Sequence, residues 1–147
     1  MSPELRIILV LALLAVATAA GLLWKTKTGR SKQVSGGEVI DLAEIAAVKD
    51  GKPVTKFGKR VTFLQFSSEF CTQCRQTARL FDELEQVHSD VMHIEVDITN
   101  RLDLASKFNI LQTPTTLVLD SKGRVTSRIG GAVKAQTIQN ELGSFEI

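Results

Sequence analysis

Cysteine is scarce: the 147-residue chain has two, and both lie in Cys71-Thr72-Gln73-Cys74. That scarcity excludes a small secreted fold stapled by several disulfides, which would spread cysteines along the chain. A bond closing so short a loop removes little freedom from the unfolded chain and adds little stability. The pair therefore reads as chemistry and not as scaffolding. Charge is missing from Ile7 to Trp24, a run of 18 residues, and no acid stands between Glu4 and Glu38. Internal repeats and low-complexity tracts are missing too, and the length suits one ordinary domain plus an anchor.

What is present is the composition of a folded chain, 44% hydrophobic and 23% charged. The positive charge is not shared evenly. Glu4 is the single acid of 16 before residue 38, and five of the 18 bases precede it. The part from Glu38 onward thus carries a formal net of −2. A globular part of that sign has no nucleic-acid footprint.

Residues 5–24 are expected to form a transmembrane anchor. At 1.5 Å rise per residue the apolar run covers roughly 27–30 Å, the thickness of a bilayer core. Trp24 closes it at the headgroup level. The alternative is a cleaved signal peptide, for which Ala17-Thr18-Ala19 supplies small residues. The apolar run continues past that point through Gly21, Leu22 and Leu23, which favours the anchor. Lys25, Lys27, Arg30 and Lys32 follow the span, so the positive-inside bias places the C-terminal side in the cytoplasm of a single-pass protein. Residues 25–37 read as a flexible basic linker with Gly29, Ser31, Ser35, Gly36 and Gly37, and residues 38–147 as the globular domain.

Within that domain, Glu38 to Val48 suits a short strand leading into a helical turn, and Val61 to Ser67 a buried central strand. Cys74 to Val87 has helical periodicity through Ala78, Phe81, Leu84 and Val87. Val91 to Ile98 alternates, with Met92, Ile94, Val96 and Ile98 on one face. Asn100 to Phe108 reads as a helix with Leu102, Leu104, Ala105 and Phe108 inward. Thr115 to Leu119 and Arg124 to Ile129 read as strands joined by the turn Asp120-Ser121-Lys122-Gly123, and Lys134 to Leu142 as a closing helix. This order gives an α/β fold, a mixed sheet with helices on both faces.

The CxxC lies at the end of a predicted strand and opens a predicted helix. Unpaired N–H groups and the helix dipole there favour a thiolate, the nucleophile of disulfide exchange. Cys71, half inside the helix, is the expected attacking thiol, and Cys74, one turn on, the resolving one. Zinc is the competing use, since Cys71, Cys74, His88 and His93 satisfy C-x2-C-x13-H-x4-H. A continuous helix would hold Cys74 and His88 about 21 Å apart, too far to share one ion, so no metal is expected.

Several segments in order resemble the thioredoxin family: VTFLQFSSEFCTQC, HIEVDI, LASKFNILQTPTTLVLD and RIGGAVKAQTIQNEL, spanning Val61 to Leu142. The resemblance implies a thioredoxin-like fold and dithiol–disulfide exchange with protein substrates. It also implies an upstream thiol reductant or a thioredoxin-reductase-like donor, and no cofactor beyond the Cys71–Cys74 pair. By position, Pro114 matches the family's cis-proline, with Thr113 before it. Gly130 or Gly131 matches the glycine that leaves room for a substrate chain. With Phe70 in place of the usual Trp, these residues form the implied substrate-binding surface.

The sequence also departs from the family. Gln65 stands where the strand usually carries a buried Asp, and Thr72-Gln73 replaces Gly-Pro. His93 aligns with the lysine partner of that Asp; a strand histidine facing solvent is expected, with proton movement near neutrality as the alternative. Glu69 beside the site is read as a plain surface carboxylate, with tuning of the site's charge as the alternative. Many anchored family members face outward, so an extracytoplasmic reductase for envelope or haem-protein assembly is an alternative. A non-catalytic binding module that recruits a membrane partner is the other.

Overall fold

The computed structural model describes residues 2–146. The N-terminal apolar run forms α1 (Pro3–Lys27), capped by Ser2 at one end and by Thr28 at the other. With a mean hydropathy of 2.6 over its most apolar stretch and no residue buried, α1 has the length and composition of a membrane span or a signal sequence.

The chain then forms β1 (Ser31–Gln33), α2 (Leu42–Ile45), and a small hairpin of β2 (Val48–Lys49) and β3 (Lys52–Pro53). The second half begins with β4 (Val61–Ser67), α3 (Thr72–Val87), β5 (Val91–Asp97) and α4 (Leu102–Lys107). It ends with β6 (Thr115–Asp120), β7 (Val125–Gly130) and α5 (Ala135–Ser144). The main sheet has the order β1-β7-β6-β4-β5. Only the β4–β5 pair is parallel, and the α3 crossover between them makes it so.

β4 lies between β6 and the edge strand β5, one place from the centre expected of it, and all seven of its residues are buried, as its run of β-branched and aromatic residues requires. Alternation sends Leu64 and Phe66 to one face, where they pack with Ile94, Val96, Leu104 and Leu117. Val61 and Phe63 go to the other face, beneath Phe81 of α3 and Ile138 and Leu142 of α5. Each face therefore has its own apolar layer.

Three expectations change. Residues 25–37 are not a featureless linker: α1 runs to Lys27, and β1 pairs antiparallel with β7 in the register Ser31↔Ile129 to Gln33↔Ser127. Backbone pairing alone makes this edge strand, so no apolar alternation announces it. Leu102 is exposed, not inward, because α4 is only six residues long and turns Leu104 to the core. His93 is buried at 4% exposure rather than solvent-facing, because α3 covers that face of β5.

Candidate active site

β4 ends at Ser67, and Cys71 caps α3, so the CxxC occupies the strand-to-helix junction. Cys71 Sγ accepts the Cys74 N–H at 3.1 Å, and the Arg75 N–H reaches the Cys71 carbonyl at 3.3 Å. The two cysteines form a disulfide with Cα atoms 5.2 Å apart. Cys71 is half-buried and Cys74 buried at 1%, so one sulfur is open to a reaction partner and the other is shielded. On reduction, the N–H aimed at Cys71 Sγ and the helix dipole both stabilise negative charge on that sulfur.

Around this junction the expected surface residues fall as follows. Phe70 projects into solvent at 90% exposure, unusual for so large an apolar side chain beside a reactive pair. The Thr113–Pro114 peptide bond is cis. Ser68 Oγ and Thr113 Oγ1 lie 2.9 Å apart, tying the CxxC loop to the cis-proline loop. Glu69 is exposed, and its N–H donates to Thr99 Oγ1 at 2.9 Å. Gly130 is half-buried, and the space a side chain would occupy there is taken by Gln112, whose Nε2 lies 2.5 Å from that point. Its neighbour Gly131 adopts φ +83° and donates its N–H to the Pro114 carbonyl at 2.8 Å. A Cβ on Gly131 would meet Thr28 Cγ2 at 2.3 Å, so glycine is needed for both conformation and space.

Behind the disulfide lies a polar chain that the sequence showed only in part. Gln65 is fully buried, and its Nε2 donates to the Cys74 carbonyl and to Ser67 Oγ, both at 2.9 Å. Its Oε1 faces His93 Nε2 at 3.1 Å, while His93 Nδ1 lies 3.0 Å from Asp82 Oδ1 on α3. Ser67 Oγ in turn donates to Glu95 Oε1 at 2.6 Å. Glu85 accepts the His93 N–H at 2.6 Å and pairs with Lys49 at 2.5 Å. Burial pushes the His93 pKa down, against the opposing pull of its hydrogen bond and charge contact with Asp82. Asp82, Glu85 and Lys49 are partners that sequence reasoning missed. Asp82 stands eight residues beyond Cys74, beside the face of α3 that buries Thr77 and Phe81, and Glu85 follows one turn on; that i, i+3 spacing was the available signal.

The helix joining the two halves of the zinc spacing is continuous from Thr72 to Val87, with His88 as its C-cap. Cys74 and His88 therefore sit at its opposite ends. Among the described residues no group of three or more His, Cys, Asp or Glu side chains is gathered as a metal site.

With this geometry, residues 46–144 match the family model described as Thioredoxin. The chain belongs to the thioredoxin family. It is 32% identical over 78 residues to Thioredoxin H5 of Oryza sativa subsp. japonica, covering 53% of this chain and 57% of that one. It is 28% identical over 106 residues to the TPR repeat-containing thioredoxin TDX of Arabidopsis thaliana, covering 72% of this chain and 28% of that one. Less than two thirds of either relative's length is thus spanned. Thioredoxin H3 of Arabidopsis thaliana is 26% identical over 104 residues, 71% of this chain and 87% of that one. Fasciola hepatica thioredoxin superposes with a TM-score of 0.52 at 20% identity, over 60% of this chain and 84% of that one. A Nicotiana alata thioredoxin gives 0.52 at 21%, over 59% and 74%. At such identities the structures show a shared fold.

Proposed function

We propose that this thioredoxin-family chain is a membrane-anchored thiol–disulfide oxidoreductase that acts on protein substrates through Cys71 and Cys74. The observation that carries this reading is the unequal setting of the two sulfurs, one open at the N-terminus of α3 and one buried behind it. In the reduced chain, the Cys71 thiolate attacks a substrate disulfide, forming a mixed disulfide and releasing one substrate thiolate, which takes up a proton. The Cys74 thiolate then attacks Cys71 Sγ, releasing the second substrate thiolate and leaving the Cys71–Cys74 disulfide. Two electrons pass to the substrate, and an upstream thiol donor returns them. Phe70, Thr113 and Pro114 form the surface against which a substrate strand lies, and main-chain pairing beside a cis-proline suits an extended segment. Gly130 lies beside it, open to a substrate once the Gln112 side chain moves.

Lys25, Lys27, Arg30 and Lys32, which follow Trp24, favour a cytoplasmic domain, where reduction is the expected direction. The test is reduction of insulin by the full chain with dithiothreitol as donor. Wild type is expected to accelerate it, and Cys71→Ser to abolish the acceleration. An inert wild type would favour a non-catalytic module that recruits a membrane partner.

A further inference from the structure

The anchor and the reactive face are joined without a hinge. Thr28 ends α1 by donating its N–H and its hydroxyl to the Trp24 carbonyl, at 3.2 and 3.0 Å. The next residue, Gly29, is buried in the domain: its N–H donates to the Gly130 carbonyl at 2.9 Å, and its carbonyl accepts the Thr137 hydroxyl at 2.8 Å. Gly29 has φ +74°, and a Cβ there would lie 2.3 Å from the Ala132 carbonyl oxygen, so the chain passes through a gap sized for glycine. β1 then locks onto β7, and the Val34 N–H continues the pairing to Thr126 at 2.9 Å. From Gly130 the route to the reactive pair is short. Gly131 bonds Pro114, and Thr113 bonds Ser68, three residues before Cys71.

A cleft of about 650 Å³ lies between the last turn of α1 and the loop leading to the cis-proline. Trp24 and Leu111 give it apolar walls, and Lys27, Arg30, Lys32 and Arg128 give it positive charge. None of its lining residues is acidic. Trp24 marks the headgroup level of a spanning α1, so this cleft opens at the bilayer surface.

We propose that the cleft receives an acidic, membrane-proximal segment of a membrane-anchored protein, whose disulfide is thereby presented to Cys71. The proposal rests on the dithiol reading above and names its substrate class. A domain on a floppy tether would sample many heights above the bilayer. This one is held at a set height, so disulfides near the surface meet it at high effective concentration while distant ones do not. Opposite charge across the cleft fixes the register of the bound segment.

The test reconstitutes the full chain in phosphatidylcholine vesicles with single-span model proteins. One carries its disulfide in an acidic stretch about five residues, roughly 17 Å of extended chain, from the bilayer. The other carries the same stretch beyond a flexible spacer of about forty residues. Insulin reduction is measured alongside. Wild type is expected to reduce the near disulfide at least about tenfold faster than the far one. Inserting about 15 Gly/Ser residues between Lys27 and Thr28 is expected to erase that preference and leave insulin reduction unchanged. Arg30→Glu with Lys32→Glu is expected to slow the near substrate alone. Equal near and far rates, or a preference that survives the insertion, would overturn the proposal while insulin reduction stands. So would an unchanged near rate in Arg30→Glu with Lys32→Glu, because the charge of the cleft would then play no part in binding the acidic segment. A chain that fails on insulin overturns the dithiol reading itself.

Discussion

Cys71 and Cys74 are three residues apart, and helix geometry alone makes them unequal. Gln65 and His93 show how a residue's surroundings decide its chemistry. Gln65 has no titratable proton, yet it spends its amide on the Cys74 carbonyl and Ser67, and offers its oxygen to His93. His93, with Asp82, Glu85, Glu95 and Lys49 facing it, is held neutral chiefly by burial. Its folded-state pKa lies below the unfolded value of about 6.5. As pH falls below that value, the unfolded chain takes up a proton that the folded chain still refuses. Stability from this group is therefore complete above about pH 6.5 and lost as pH drops towards the lowered pKa. Urea unfolding of wild type and His93→Gln between pH 7.5 and 5.5 is expected to show a steeper loss in wild type. Parallel pH dependences would contradict it. The burial of His93 was not legible in the sequence. Alternation assigns it to the face opposite Ile94, but only the packing of α3 on β5 decides that this face is closed.

At the scale of elements, the strongly periodic segments were readable and the short polar ones were not. β4 runs from Val61 to Ser67 as its apolar run implies, and α3 follows the Phe81 stripe. β1 escaped notice because Ser31, Lys32 and Gln33 contribute only backbone to the sheet. Pro114 was legible through family likeness alone, since nothing local distinguishes it from an ordinary turn proline. The junction of β4 and α3, which holds the CxxC, depends on Phe81. That ring is fully buried, stacked on Phe63 with centroids 4.6 Å apart and tilted against His93 at 5.1 Å. Phe81→Ala is expected to destabilise the domain by about 3–5 kcal/mol, read as a lower urea midpoint in pulse proteolysis. A change under about 1 kcal/mol would show that α3 is not held through this stack.

Across the whole molecule, the chain passes from an apolar helix through a basic stretch to a two-layered domain of slightly negative charge. The charge asymmetry was plain from the sequence: the bases cluster just after Trp24, while the domain beyond residue 37 is slightly acidic. The direct fastening of α1 to β7 was not, because it consists of glycine backbone contacts. Since the chain has only two cysteines, both in the site, a membrane-impermeant maleimide reports orientation without background from other positions. The basic flank predicts no labelling of the reduced chain in intact cells and labelling after detergent. Labelling in intact cells would place the domain outside.

The proposed exchange depends on the division of labour between the two sulfurs, and one measurement addresses it directly. The full chain carrying Cys74→Ser is incubated with a disulfide-bonded protein substrate, and the products are mapped by mass spectrometry without reduction. A stable mixed disulfide on Cys71 is expected, absent from wild type because Cys74 resolves it. Equal trapping on Cys74 in a Cys71→Ser variant, or no trapped species on either, would contradict the assignment of Cys71 as the attacking thiol.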